Sequence, residues 1–222
     1  MIVDLNLENK KIVIIGAGNE AEKRVKSLLN QNCDITVISD SANKQITKLA
    51  KIKKIKLKKQ KIENMKFISE LKPDMIVTTT NDKKLNQKII DHSKKRRIIA
   101  YSSDNPDESD FSNPAVIDFE KMIQIAIFTG GKSPAMSKEI KMKLEILLKK
   151  TITKEDIARI KIQKTSRKLA KEIISTQFER KECLRSIRTD SRIDQLIKDG
   201  QIKKAEKRAI EILKKWKQIK IS

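Results

Sequence analysis

A short β-branched run, Lys11-Ile12-Val13-Ile14-Ile15, leads straight into Gly16-Ala17-Gly18-Asn19-Glu20-Ala21. The residues that follow, Glu22 to Asn30, carry Val25, Leu28 and Leu29 at helical spacing. Buried strand, glycine turn and helix in that order commit the start of the chain to a βα unit. Gly16 permits the tight turn, Gly18 lets the backbone approach a pyrophosphate with no Cβ between, and Ala21 lets the helix pack close to the sheet. The helix start offers free N–H groups to an anion. A tight turn without a ligand is the alternative reading of the same residues.

The unit repeats. Asp34 to Ser39 reads as a second strand ending at Asp40, Lys44 to Lys51 as a helix, and Ile55-Lys56-Leu57 as a short third strand. Pro73 and Asp74 break the chain before a fourth strand at Met75 to Thr79. Lys83 to Lys95 is amphipathic, and Ile98 to Ser102 forms a fifth strand. This alternation predicts a Rossmann-like, doubly wound parallel sheet over residues 1–113, with ligands at the C-terminal strand ends. Beyond it Met122 to Phe128 alternates with period two and has no evident hairpin partner in the first domain. From Ala135 the pattern is almost wholly helical. Thr153 with Asp156 three residues on marks a fresh helix start, a long apolar stripe runs from Ile157 to Ile187, and Asp199-Gly200 closes a short helix before the last one. The expected fold class is α/β, with a small α+β dimerisation segment at 114–150 and a basic helical domain at 151–222.

Charge is the second signal. The chain carries +22 overall, and residues 136–222 hold 26 Lys and Arg against 12 Asp and Glu, a net of +14. Such a tail suits nucleic acid, a membrane surface or a polyanionic small molecule, and a solvated Lys-rich surface is the plain alternative. One Trp, one Tyr and five Phe leave little for base stacking, so nucleic acid is not expected. No apolar run is long enough for a transmembrane helix, so no membrane partner is expected. Cys33 and Cys183 form no Cys-x-x-Cys pair, which suits a reducing cytoplasm. His92 is the only histidine, so neither a His-based metal site nor a Ser–His–Asp triad is expected.

Asp40 stands 22 positions after Gly18, at the end of the second strand, where a carboxylate accepts the ribose 2′-OH of NAD and repels the 2′-phosphate of NADP. Capping of the next helix is its structural alternative. Thr78 to Asp82, including Thr79, closes the fourth strand on the same rim, with hydroxyls in reach of a ribose or nicotinamide. Asp104, just past the fifth strand and before Asn105-Pro106, is a carboxylate on the ligand rim or simply a turn residue. Thr129-Gly130-Gly131-Lys132-Ser133-Pro134 opens a helix and offers N–H groups to an anion.

In order, Gly16 to Ala21, Thr79-Thr80-Asn81-Asp82 with Asn86, Asp104-Asn105-Pro106, Asp110-Phe111 with Pro114-Ala115, and Thr129 to Pro134 resemble the siroheme synthase N-terminal family, the precorrin-2 dehydrogenases. The match covers about residues 1–150 well and the helical tail in general character. It resembles the stand-alone form, without a methyltransferase domain. The resemblance implies NAD-dependent oxidation of precorrin-2 to sirohydrochlorin. It implies Asp104 as general acid/base and NAD contacts at Asn19, Glu20, Asp40 and Ser41. It further implies a homodimer built after Pro114, with the tail flanking the cleft. Precorrin-2 carries eight carboxylates, which gives substrate-binding roles to Thr129, Gly130, Gly131, Lys132 and Ser133 and a purpose to the basic tail. Tyr101 and Phe128 stand where the family commonly has Asn and Ser. With one histidine and no ligand motif, iron insertion is not expected. The alternative function is a non-catalytic nucleotide-sensing or scaffold protein that uses its basic tail on a partner.

Overall fold

The computed structural model describes residues 2–218. The chain divides into two compact units, Met1–Asn113 and Pro114–Ser222. In the first, strands β1 (Lys11–Ile15), β2 (Asp34–Ser39), β3 (Lys56–Lys59), β4 (Met75–Thr78) and β5 (Ile99–Ser102) form a parallel sheet. Its order is β3-β2-β1-β4-β5. Helices α1 (Asn19–Leu28), α2 (Lys44–Lys51), α3 (Lys66–Leu71) and α4 (Lys83–Lys95) connect the strands. β1 is central, pairing with β2 on one side and β4 on the other, so both its faces must be apolar. Ile12 and Ile14 point into one core with Ala21 and Val25 of α1. Val13 and Ile15 point into a second with Phe67, Ile68 and Ile89 of α3 and α4. Burying each of these four side chains contributes about 1.5–3 kcal/mol.

The strand order reverses between β1 and β4. Chains leaving β1 build outward through β2 and β3, and the next strand returns to the opposite edge of β1. The helices after β1 and β4 therefore pack on opposite faces of the sheet and leave a crevice at the C-terminal strand ends. At the other end Asp74 ties the two strands together. Its carboxylate accepts the Lys11 N–H at 2.8 Å and the Lys10 Nζ at 3.1 Å.

The second unit opens with a hairpin. β6 (Ala115–Phe119) and β7 (Ile123–Ile127) pair antiparallel, with Ile117 opposite Ile125. Met122 to Phe128, for which the first domain offers no hairpin partner, is paired instead by the segment just before it in the second unit. The turn explains why the sequence does not show this pairing. Glu120 and Lys121 both sit at positive φ, 51° and 57°, where Asn-Gly or Asp-Gly is the usual signal. The Asp118 carboxylate holds the turn by accepting the Lys121 N–H.

Helices α5 (Pro134–Thr151), α6 (Lys154–Ile173), α7 (Gln177–Arg188), α8 (Ser191–Lys198) and α9 (Ile202–Gln218) complete the unit. A capping box at Thr153 and Asp156 starts α6. The apolar stripe from Ile157 to Ile187 belongs to two helices rather than one. The chain breaks at Ile174–Thr176, where the Thr176 hydroxyl caps α7 by accepting the Glu179 N–H at 3.3 Å. Ala170, Ile174, Cys183, Ile187, Ile197, Ala209 and Leu213 pack into one core. Among the described residues no helix is long and apolar enough to cross a membrane.

Candidate functional site

A cleft of about 700 Å³ opens in the first unit where the strand order reverses. Its walls are the turn after β1 (Gly16 to Glu20), the loop after β2 (Asp40 to Asn43) and the loop after β4 (Thr79 to Asp82). Of the residues singled out from sequence, Gly16, Gly18, Asn19, Glu20, Asp40, Ser41 and Thr79 all line this one cleft.

Gly16 sits at φ +99°, and a Cβ there would stand 2.7 Å from Thr79 Oγ1 and 3.1 Å from the Thr79 main chain. Its lack of a side chain is what lets the β1 turn and the β4 end lie against each other. Thr79 is fixed in turn, its N–H and its hydroxyl both donating to the Ile15 carbonyl at 2.8 Å. Gly18 is different. A Cβ there meets nothing within 4 Å, so the position faces open space, and as N-cap of α1 it supplies no side-chain acceptor. The first N–H groups of α1 stay available to an anion, with the positive end of the helix dipole behind them.

Asp40 is exposed at the cleft wall. The cap of α2 is Asn43, whose carboxamide oxygen accepts the Ile46 N–H at 2.8 Å, so Asp40 is not spent on capping. The Ser41 hydroxyl donates to the Asp40 carboxylate at 3.3 Å. Glu20 is held by Arg24 and Lys23. Partial burial works against its charged form, but the hydrogen bonds and charges of Lys23 and Arg24 outweigh it and keep the carboxyl below its ordinary range.

Asp104 lies beside the cleft wall, joined to it by a hydrogen-bonded tether. Asn86 of α4 is 1 % exposed. Its amide nitrogen donates to the Thr80 carbonyl and to Asp104 Oδ1, both at 2.9 Å, while its oxygen accepts the Thr80 hydroxyl at 2.6 Å. Turning the amide over would set an oxygen against a carbonyl and a carboxylate, so its orientation is fixed. The Ser102 hydroxyl donates to the same Oδ1 at 2.6 Å. Its proton being committed there, the buried Thr78 hydroxyl is the donor in the 2.8 Å contact with Ser102. Two donors thus hold Oδ1, and Oδ2 of the exposed Asp104 accepts no hydrogen bond from the described residues.

Tyr101 is turned away from this network, because alternate residues of β5 face opposite sides of the sheet. Its ring is 6 % exposed, stacks on Phe111 at 5.0 Å and lies under the Arg24 guanidinium at 4.9 Å. The Arg24 Nη2 donates to its hydroxyl at 3.2 Å. Tyrosine at 101 therefore supports α1 and leaves the surroundings of Asp104 to Ser102 and Asn86.

Thr129, Gly130, Gly131, Lys132 and Ser133 belong to the second unit. Gly130 and Gly131 take positive φ, 65° and 75°, and are exposed with Lys132. The hydroxyls are engaged: Ser133 caps α5 by accepting the Met136 N–H, and Thr129 donates to the Ser133 carbonyl. What this loop offers an anion is the glycine backbone and the Lys132 ammonium. Sequence reasoning passed over Asn43 and Gln60 to Ile62 as cleft walls, and Ser102 as a support of Asp104. A polar residue closing a β-strand at the ligand rim was the only signal for Ser102.

The cleft suits a dinucleotide: an uncapped helix start for the pyrophosphate, a strand-end carboxylate for a ribose, and hydroxyls at Thr79 and Thr80 on the facing wall. Residues 3–115 match a family described as "Putative NAD(P)-binding". A Methanocaldococcus jannaschii protein named "Putative precorrin-2 dehydrogenase" is 30% identical over 189 residues, covering 82% of this chain and 87% of that one. A siroheme synthase of Psychromonas ingrahamii is 27% identical over 201 residues, covering 90% of this chain and 40% of that one. The chain spans 30–40% of the length of the siroheme synthases it matches. The solved structure titled "SirC, precorrin-2 dehydrogenase" shares the fold, with a TM-score of 0.68 at 21% identity over 92% of this chain and 99% of that chain.

Proposed function

From a chain that belongs to the precorrin-2 dehydrogenase family, we infer an NAD-dependent enzyme that oxidises precorrin-2 to sirohydrochlorin on the route to sirohaem. The observation that carries this reading is the tether from the cleft wall through Thr80 and Asn86 to Asp104, a carboxylate held at one oxygen and open at the other. A scaffold needs no such arrangement.

Oxidation takes a hydride and a proton from the substrate, and bound NAD supplies the hydride acceptor. The chain supplies the rest. The α1 start and Asp40 orient the dinucleotide across the strand ends. Asp104 Oδ2 accepts the proton, while Asn86 and Ser102 keep the carboxylate from rotating out of reach. Gly130, Gly131 and Lys132 take substrate carboxylates. Asp40 disfavours a 2′-phosphate, so NAD is used rather than NADP.

The protein works as a homodimer through residues 114–150. Val116, Phe128, Met136, Met142, Ile146 and Leu147 are all exposed in this stretch, and Ser137 is the only buried residue of α5. An apolar face of that extent supports a second copy as its cover. Cys33 and Cys183 are both free thiols, which supports a cytoplasmic location.

The test is one incubation of purified protein with precorrin-2 and NAD, followed by absorption spectroscopy. The sirohydrochlorin spectrum is expected, forming faster with NAD than with equal NADP. An unchanged chromophore would overturn the enzymatic reading, and faster turnover with NADP would overturn the role of Asp40.

A further inference from the structure

The second unit contains a groove of about 580 Å³ between α6 and α7, built wholly from its own residues. Six cations line it: Arg167 and Lys171 from α6, and Arg180, Lys181, Arg185 and Arg188 from α7. Among the described residues Glu182 is the one acidic side chain on its walls and Leu184 the one large apolar one. Spacings of three and four residues put Arg167 above Lys171, and Lys181 above Arg185 and Arg188, on facing helix surfaces. The groove floor is rigid, since Ser166 and Ala170 of α6 and Cys183 and Ile187 of α7 are buried beneath it.

These cations are uncompensated. Some lysines elsewhere pair along their helices, as in Lys26 with Glu22, Lys143 with Glu139 and Lys149 with Glu145. Among the described residues Arg167, Lys171, Lys181, Arg185 and Arg188 enter no ion pair. Arg180 is the structural member, donating to the Ile174 and Ser175 carbonyls at 2.8 Å and so holding the break between the helices. Bringing like charges together costs stability that an anion in the groove returns.

We propose that the α6–α7 groove binds a small molecule bearing several carboxylates, the chemistry of the substrate and product in the reaction inferred above, on which this proposal rests. The cavity volume is that of a small-molecule site. Among the described residues no aromatic side chain lines it for base stacking, which disfavours single-stranded nucleic acid, and one leucine gives a lipid surface nothing to enter. Arginines supply the planar, two-pronged donors that carboxylates accept. A basic groove of this kind raises the local concentration of a polycarboxylate around the enzyme.

The test uses uroporphyrin, an air-stable octacarboxylate tetrapyrrole, with sodium tripolyphosphate and a short oligo-dT as comparison ligands. Each is titrated calorimetrically at physiological ionic strength into the parent chain and into Arg167→Ala/Arg185→Ala. Both substituted positions are exposed, so the fold is retained, and unchanged NAD affinity and circular dichroism verify it. Uroporphyrin affinity is expected to fall at least tenfold in the double variant. Equal affinity for parent and variant overturns the proposal. So does tighter, variant-sensitive binding of tripolyphosphate or oligo-dT, which would assign the groove to phosphates or nucleic acid. Turnover of precorrin-2 is read separately: variant-sensitive uroporphyrin binding without NAD-dependent oxidation keeps the groove and removes the reaction.

Discussion

Two alanine substitutions two residues apart separate the structural from the ligand-binding duty of the β1 turn. Gly16→Ala forces an L-residue to φ +99° and drives its Cβ to 3.1 Å from the Thr79 main-chain carbon and oxygen. Rotating the Thr79 side chain does not relieve this, because main chain is part of the contact and Thr79 is bonded twice to the Ile15 carbonyl. A strained backbone of this kind costs about 1–3 kcal/mol. For a chain of this size that lowers the melting temperature by roughly 2–12 °C. The β4 loop moves with it, so NAD affinity falls as well.

Gly18→Ala is the contrast. Its φ of −87° suits alanine, its Cβ meets nothing, and the loss of a glycine N-cap costs no more than about 1 kcal/mol. Yet a methyl there enters the space through which a pyrophosphate reaches the backbone, and the expected loss of NAD affinity is about tenfold or more, some 1.4 kcal/mol. Differential scanning calorimetry reads stability and isothermal titration reads NAD. A Gly16→Ala protein that melts with the parent refutes the packing argument. A Gly18→Ala protein that binds NAD like the parent removes the dinucleotide from this turn.

Asp104→Asn keeps the size and the tether but removes the base, so kcat should fall by about a hundred- to ten-thousandfold. NAD affinity should hold and Asp107→Asn should stay near the parent rate; an Asp104→Asn enzyme within a few-fold of the parent makes Asp104 a turn residue. Asp74 titrates below its ordinary value because the Lys11 N–H and the Lys10 ammonium stabilise its charged form. Its contribution is therefore present above the unfolded-state pKa and lost as pH falls through the lower folded value. Asp74→Asn should cost about 1 kcal/mol at neutral pH, the exposed carboxylate being partly screened, and the two unfolding curves should converge as pH falls through the lowered folded value; a gap that persists in acid contradicts this origin. Leu147→Glu, at a position 60% exposed in α5, should leave the melting temperature near that of the parent and shift sedimentation from dimer to monomer at tens of micromolar protein. A parent already monomeric there counts against the dimer.

Short-range pattern carried the first unit. β1, β2, α2 and α4 follow from runs of β-branched residues and a period near 3.6, decided within a few positions, while their caps Asn43 and Asp82 were visible only in the structure. The cleft walls at Gly16, Gly18 and Asp40 were legible for the same reason: parallel strands alternating with helices bring the C-terminal strand ends to one rim whatever the strand order. Periodicity does not carry partners. The pairing of β6 with β7 was hidden because Glu120-Lys121 turns through positive φ without a glycine, and the stripe after Ile157 concealed the break at Ile174–Thr176. Asp104 illustrates the division. By itself it is an aspartate before Asn-Pro, equally a turn residue or a base. Only the register of β4 on β5 and the packing of α4 bring Thr78, Ser102 and Asn86, 26, 2 and 18 positions away, onto one side of it and hold one of its oxygens. The α6–α7 groove has the same origin. Each helix alone is a basic surface like many others, and it takes the packing of Cys183 and Ile187 in the core of the unit to turn two surfaces into one cavity. Sequence sets local geometry because backbone sterics and side-chain period act over a few residues; the sites depend on contacts between segments far apart in the chain, which only the folded core enforces.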